Sequence, residues 1–300
     1  MRLSAARSTA SVFFLAGLIA SCSSGPDEQA ASSNQPLLTG PHRVQASGMA
    51  SVQLVQAGGK LIADYGSFAL IDIDGAKLSS MPKDSYLLRD EYRNVMLNAG
   101  AIDALDASAA RLRETALPAT GKQLHLVQFA GAVKPEWHAQ LQATGVRIVE
   151  YIPHNAYLVY GDATQLSRVI SYARSAPEVQ WDGPYLDDYK LNPRVYSYER
   201  PDGYQVQLVE DAQGNVETLA RAAALEQQGR LVDQRALGYV NLIVHTDQDS
   251  ALALSKQPDV VSIYPWMDPR KLDERAKRSE ERRVGKECKS QCRSRWSPYH

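Results

Sequence analysis

Between residues 121 and 268 the apolar positions switch between a two-residue and a helical period, and they do so in the same order twice. In the first pass Leu124 to Phe129 is a β-rich run. Pro135 suits the first turn of a helix, Trp137 and Leu141 share one of its faces, and Gly145 closes it where a left-handed cap is needed. Val146 to Ile152 then alternates like a half-buried strand, Pro153-His154-Asn155 supplies turn chemistry, and Ala156 to Tyr160 returns. Asp162 stands as N-cap to a helix whose Leu166, Val169, Ile170 and Ala173 fall on one face. Pro177 stops that helix, and Val179 to Trp181 begins the last strand.

The second pass repeats the order. It runs through Val206 to Val209, a helix with Leu219, Ala223 and Leu225, and a strand from Arg230 to Asp233. Tyr239 to Val244, a helix with Ala251 and Leu254, and Val260 to Tyr264 complete it. Leu141 aligns with Leu225, Gly145 with Gly229, Pro177 with Pro258 and Val179 with Val260, a period of roughly 80 residues that suits a small domain rather than a solenoid unit.

Strand-helix-strand-strand-helix-strand predicts an α+β fold of tandem ferredoxin-like (βαββαβ) domains with antiparallel sheets, over 121–190 and 203–268. Two helices would cover one face of each sheet, leaving the other solvated or docked on a partner. A fainter copy, a partial αββ repeat, lies in 44–120, where Gly59 takes the place of Gly145 and Gly229 and no first strand is visible. Met96 to Ala119, with Leu105, Leu112 and Leu117, reads as a connecting helical or irregular segment.

The two ends follow other patterns. Arg2 and Arg7 precede the apolar run Val12 to Ile19, and small residues lead to Cys22, which is the order of a secretory signal over 1–21. The run is too short to span a bilayer as a retained helix. Ile19-Ala20-Ser21-Cys22 resembles the bacterial lipobox, which implies that Cys22 is diacylated and anchors an exported protein to a membrane. Ser23 resembles an outer-membrane address. Residues 22–43, poor in apolar side chains, read as a flexible tether.

At the other end, 269–277 reads as a linker. Residues 278–300 resemble the conceptual translation of a sequencing-library adapter, so Cys288 and Cys292 are set aside with it.

Charge changes once the ends are removed. The tail carries seven basic and three acidic residues and the signal carries Arg2 and Arg7, so a formal total of −1 falls to −7 for the rest. An acidic body without a basic patch argues against a nucleic-acid partner. The repeats hold no cysteine, so their fold must stand on its core rather than on disulfides.

Little chemistry is visible. His42, His125, His138, His154 and His245 are scattered without helical ligand spacing, and no phosphate loop, dinucleotide fingerprint or nucleophile elbow occurs. Asp72, Asp74 and Gly75 lack the remaining ligands of a calcium loop and read as a polar strand end and turn. Tyr151, Tyr157, Tyr160, Trp181, Tyr185, Tyr264 and Trp266 read as sheet packing. No catalytic residue, cofactor site or metal site is expected; Cys22 is the one site residue, for lipidation.

The pattern LVQF-x-G, YIPHNAYLV, P-x-V-x-W-x-GPY and YKL, followed by the second repeat and PDVVSIYPWMDPRKLDE, resembles the region ahead of the catalytic domain in bacterial subtilisin-like (S8) serine peptidases. The likeness covers about Lys60 to Arg275 and rests on many moderately specific positions. It implies a propeptide-like chaperone and inhibitor whose open sheet face docks on a catalytic domain in cis, and a chain that stops short of that domain. No Asp-Ser/Thr-Gly, His-Gly-Thr or Gly-Thr-Ser block is present. Two other readings stay open: a stand-alone membrane-anchored binding module, and accessory domains that orient a peptidase's substrate.

Overall fold

The computed structural model describes residues 38–115, 121–229 and 231–268. The signal, Cys22, residues 23–37 of the tether, Leu117, the linker 269–277 and the segment 278–300 lie outside them.

An N-terminal unit comes first. It runs β1 (Pro41–Ala46), α1 (Gly48–Gln56), β2 (Lys60–Asp64), β3 (Ala69–Asp74), α2 (Gly75–Leu78) and β4 (Tyr86–Leu88). Its antiparallel sheet has the order β2-β3-β1-β4, so the faint copy has all four strands of the βαββαβ order. The strands that the sequence pattern does not reveal are β1 and the short β4. Val44 and Ala46 face the unit's core, but Arg43 just before them is also buried, on the opposite face, because its guanidinium pairs with Asp72 at 2.7 Å. A buried arginine reads as a tether in a hydrophobicity pattern. The boundary placed at residue 44 therefore falls inside a strand.

A two-stranded hairpin, β5 (Asn94–Leu97) and β6 (Gly100–Asp103), and the short α3 (Ala107–Arg113) occupy the segment expected to be a connection. Repeat 1 follows as β7 (Lys122–Phe129), α4 (Pro135–Ala143), β8 (Arg147–Ile152), β9 (Ala156–Asp162), α5 (Ala163–Ser175) and β10 (Val179–Pro184), in sheet order β10-β7-β9-β8. Gly145 has the left-handed conformation (φ +87°) expected just past α4. Asp162 caps α5 reciprocally with Gln165 in a capping box.

A 3-10 turn over Asp187–Lys190 and the short α6 (Arg194–Ser197) lead to repeat 2. This comprises β11 (Gly203–Val209), α7 (Asn215–Leu225), β12 (Val232–Ala236), β13 (Tyr239–Val244), α8 (Gln248–Ser255) and β14 (Val260–Trp266), in order β12-β13-β11-β14. The fold is α+β with three four-stranded antiparallel sheets of one topology.

On the first helix of repeat 2, Leu219 and Leu225 pack against the core as expected, and one position differs. Ala222, not Ala223, is buried on α7, together with Asn215 and Thr218. Those two polar side chains face inward because they donate to the fully buried Asp259, at 2.6 and 2.5 Å. A buried carboxylate must be hydrogen-bonded, and this one sets the rotation of the helix.

Each sheet has a second face, away from its helices, and these faces set up the rest of the molecule. In the N-terminal unit Ala63 and Leu70 pack against Phe129, Trp137 and Val179 of repeat 1. Arg43 donates to the Ala130 carbonyl at 2.6 Å and to Gln180, pinning the contact. The chains approach so closely that a Cβ on Gly131 would lie 2.5 Å from Leu70 Cδ2. In repeat 1 the second face carries Leu124, Leu126, Leu158 and Tyr160, and Trp181 joins them. It is covered by Val95 of the hairpin, Ala109 of α3, and Val209 and Val261 of repeat 2. Trp181 Nε1 donates to the Ala109 carbonyl at 2.9 Å, so even this ring leaves no unpaired polar atom.

Candidate functional site

Strict alternation along repeat 2 sorts its strands into two chemistries. Tyr204, Val206 and Leu208 of β11, with Val240, Leu242 and Val244 of β13, face the helices. Gln205 and Gln207, with Asn241, take the opposite face. The register places Gln234, Asn241, Gln207 and Ser262 opposite one another in a row across all four strands. Gln207 Nε2 donates to Asn241 Oδ1 at 3.0 Å, and Ser262 Oγ to Gln207 Oε1 at 3.5 Å. Repeat 1 covers Val209, Val261 and Tyr239 at one end of this face. Along the amide row the cover thins: Ser262 is buried, Gln207 and Asn241 are half-buried and Gln234 is exposed.

A cleft of about 310 Å³ opens where this face meets repeat 1 and the hairpin. Gln205, Gln207, Ser262 and Tyr264 form one side. Met96 to Asn98 of the hairpin, Glu150 to Pro153 of the β8–β9 turn, and Tyr185 form the other. Alternation on β8 sets Glu150 on the same sheet face as the buried Ile152, and both reach this wall, whereas Tyr151 stands on the other face with its ring against Tyr157 and meets the cleft from its rim. Tyr239 Oη donates to the Val149 carbonyl at 3.0 Å and approaches Glu150 Oε2 at 3.5 Å; Tyr185 Oη donates to the Val261 carbonyl at 3.0 Å. These two phenols stitch the repeats together beside the cleft.

Burial raises the Glu150 carboxyl above its ordinary value, against the opposing hydrogen bond from Tyr239. Burial and then the Glu150 charge push Tyr239 up to about 12. Tyr185 is raised by burial, by Glu150 and by Tyr264. All three are shifted toward their protonated forms, and the phenols remain hydrogen-bond donors. The lining offers amides, a hydroxyl, phenols and one carboxylic group, which together suit recognition of peptide-like donors and acceptors.

The residues singled out from sequence are spread elsewhere. His125 Nε2 lies 3.2 Å from Asp182 Oδ2, both are buried, and Arg113 at the end of α3 joins the same carboxylate at 2.6 Å. His42 pairs with Asp90 at 2.6 Å and His245 with Glu226 at 3.1 Å. His154 and Asn155 both have positive φ in the β8–β9 turn, and His138 meets the edge of Tyr157. Asp72 is taken by Arg43, and Asp74 caps α2 through the Ala76 N–H. Among the described residues no group of three His, Cys, Asp or Glu is placed to hold a metal ion. Lys190 of the YKL motif is buried and donates to the Ser255 and Gln257 carbonyls at 2.7 and 2.9 Å, tying the inter-repeat turn to the end of α8.

Of the aromatic residues read as packing, Tyr160, Trp181 and Tyr185 are buried. Tyr151 is exposed, and with Tyr264 it lines the cleft. Glu150, Gln205 and Gln207 carried no motif. The signal for the glutamines was present as the Tyr-Gln-Val-Gln-Leu alternation of β11; nothing local marked Glu150.

Residues 96–186 match a family model described as a domain of unknown function (DUF8729). The matched stretch begins inside β5 and ends after β10, so it takes in repeat 1 with α3 and the greater part of the hairpin. No curated protein and no solved structure matches the chain. Among the described residues no helix is long and apolar enough to cross a membrane.

Proposed function

We propose that the chain is the non-catalytic, propeptide-like region of an exported subtilisin-like serine peptidase, with repeat 2 as its docking domain. One observation carries this reading. Two of the three four-stranded sheets have their second faces closed by apolar packing on neighbouring parts of the chain, whereas the sheet of repeat 2 carries a polar row that runs from the buried Ser262 through the half-buried Gln207 and Asn241 to the exposed Gln234. A ferredoxin-like domain that docks through its sheet onto a folded partner needs such a face: accessible, hydrogen-bonding and too polar to self-associate indiscriminately. Cys22 is the proposed lipid anchor, with 22–37 as tether, placing the protein at the outer membrane or cell surface.

The test is to co-express a cognate subtilisin-like catalytic domain with residues 37–274, with and without Gln207→Arg. Higher folding yield and inhibited proteolysis are expected, both weakened by the substitution. Unchanged yield and activity in the presence of residues 37–274 would remove the propeptide reading. Loss of radiolabelled palmitate in Cys22→Ala tests the anchor separately. The tyrosines of the cleft favour a second reading, a lipoprotein module that binds an extended polar ligand; binding of peptides without any effect on a catalytic domain would select it.

A further inference from the structure

The two edges of the repeat 2 sheet are treated differently by the rest of the chain. On the β14 side Leu191 makes a parallel bridge to Ile263. The Asn192 and Asp202 N–H groups donate to the Ile263 and Trp266 carbonyls, at 3.0 and 2.9 Å. On the other side β12 forms the edge, and all five of its residues are exposed. A bare edge strand presents unpaired N–H and C=O groups to any strand of matching register.

The register fixes which groups those are. Leu237 and Gly238 both have positive φ, +52° and +82°, in a two-residue turn that pairs Ala236 with Tyr239. Such a turn makes its closing pair a hydrogen-bonded one, so Ala236, Gln234 and Val232 bond inward to β13. Asp233 and Arg235 point their main-chain groups outward. Their side chains lie opposite Leu242 and Val240, on the helix side, and Gln234 lies on the open face in the amide row.

The strand reads Val-Asp-Gln-Arg-Ala, and its charges are antisymmetric about Gln234. We propose that β12 pairs with β12 of a second copy of this chain, antiparallel and centred on Gln234, joining two sheets into one. Asp233 then lies opposite the other copy's Arg235, twice, with about four new main-chain hydrogen bonds from those same residues. Opposite charges across a strand pair stabilise it and like charges oppose it. An edge protected against pairing would carry one sign; this one carries both, in the order that favours its own copy.

Within one chain Arg235 meets Glu210 and Asp233 only at 3.7 and 3.6 Å, so little is lost in the exchange. The same register sets Leu237, which is 97% exposed, beside the other copy's Leu231. Gln234 meets its own equivalent, which continues the amide row through both sheets.

The test uses the full chain in mild detergent. Gln234 and its equivalent form a non-hydrogen-bonded pair with Cβ atoms about 4.5–5.5 Å apart, so Gln234→Cys is expected to cross-link on mild oxidation well above the unsubstituted chain. Asp233→Cys, offset from its equivalent, is expected not to. By sedimentation the unsubstituted chain forms a concentration-dependent dimer, Asp233→Arg weakens it at least tenfold, and the charge-swapped Asp233→Arg/Arg235→Asp restores it. A chain that stays monomeric, equal cross-linking of the two cysteine variants, or a dimer indifferent to Asp233→Arg would each overturn the proposal. The cross-linking result stands even where Asp233→Arg proves poorly folded by circular dichroism.

Discussion

Repeat 1 and repeat 2 have one topology and two opposite uses of it. The second face of repeat 1 is apolar, carrying Leu124, Leu126 and Leu158, and it is buried under the hairpin, α3 and the end of repeat 2. The second face of repeat 2 carries Gln205, Gln207, Asn241 and Ser262 at equivalent alternating positions, and apart from the buried Ser262 these side chains stay partly accessible among the described residues. Burial of apolar surface is worth about 25 cal/mol per Å², so a face of leucines requires a cover while a face of amides does not. The difference lies in side-chain chemistry on one side of each strand, and it separates a structural sheet from one suited to recognition.

The comparison is broken most severely by Trp181→Ala. The ring is buried and its indole N–H is the partner of the Ala109 carbonyl, so truncation is expected to cost about 3–5 kcal/mol of unfolding free energy in urea. Hydrogen exchange should show the loss concentrated in α3 and the repeat 1 sheet. Arg43→Ala attacks the other covered face, that of the N-terminal unit. It leaves Asp72 without its partner and the Ala130 carbonyl without a donor, an expected cost of about 3 kcal/mol in the same measurement.

Two charged groups at the join between the repeats sharpen the comparison through pH. Glu150 is raised in the folded state by burial, so the folded chain holds its proton more tightly than the unfolded one. Stability is then lost as pH rises from about the ordinary carboxyl value through the raised one. Glu150→Gln is expected to remove that loss and to be more stable than the unsubstituted chain at neutral pH. Asp211 has the opposite sign: its hydrogen bond from Lys122 at 2.6 Å lowers it, so its contribution is present above the ordinary value and is lost as pH falls through the lowered one. Urea titrations of Glu150→Gln and Lys122→Gln across pH 3–7, a window about the ordinary carboxyl range, check both signs. A Glu150→Gln curve parallel to that of the unsubstituted chain would remove the first.

The smallest effect on stability is expected on the open face. Gln207→Arg is predicted to change unfolding free energy by about 1 kcal/mol, since it disturbs two half-buried hydrogen bonds, to Asn241 and from Ser262. A large loss would show that the face is buried after all.

Local pattern carried much of this architecture. Period-two and helical runs marked the βαββαβ order of both repeats, the Asp162 cap and the turn glycine at Gly145, because strands and helices expose one face to a core wherever they sit. The glutamines of β11 were equally visible as alternation. What local pattern lacked was any contact between distant segments. β1 went unseen because Arg43 is made buriable by Asp72, from a different strand. The hairpin went unseen because its cover is the leucine face of repeat 1. The phase of α7 depends on Asp259, far along the chain. Sequence determined that each sheet would have a second face and what side chains stood on it. Only the tertiary structure decided which faces were covered, since cover is supplied by segments that no local period connects.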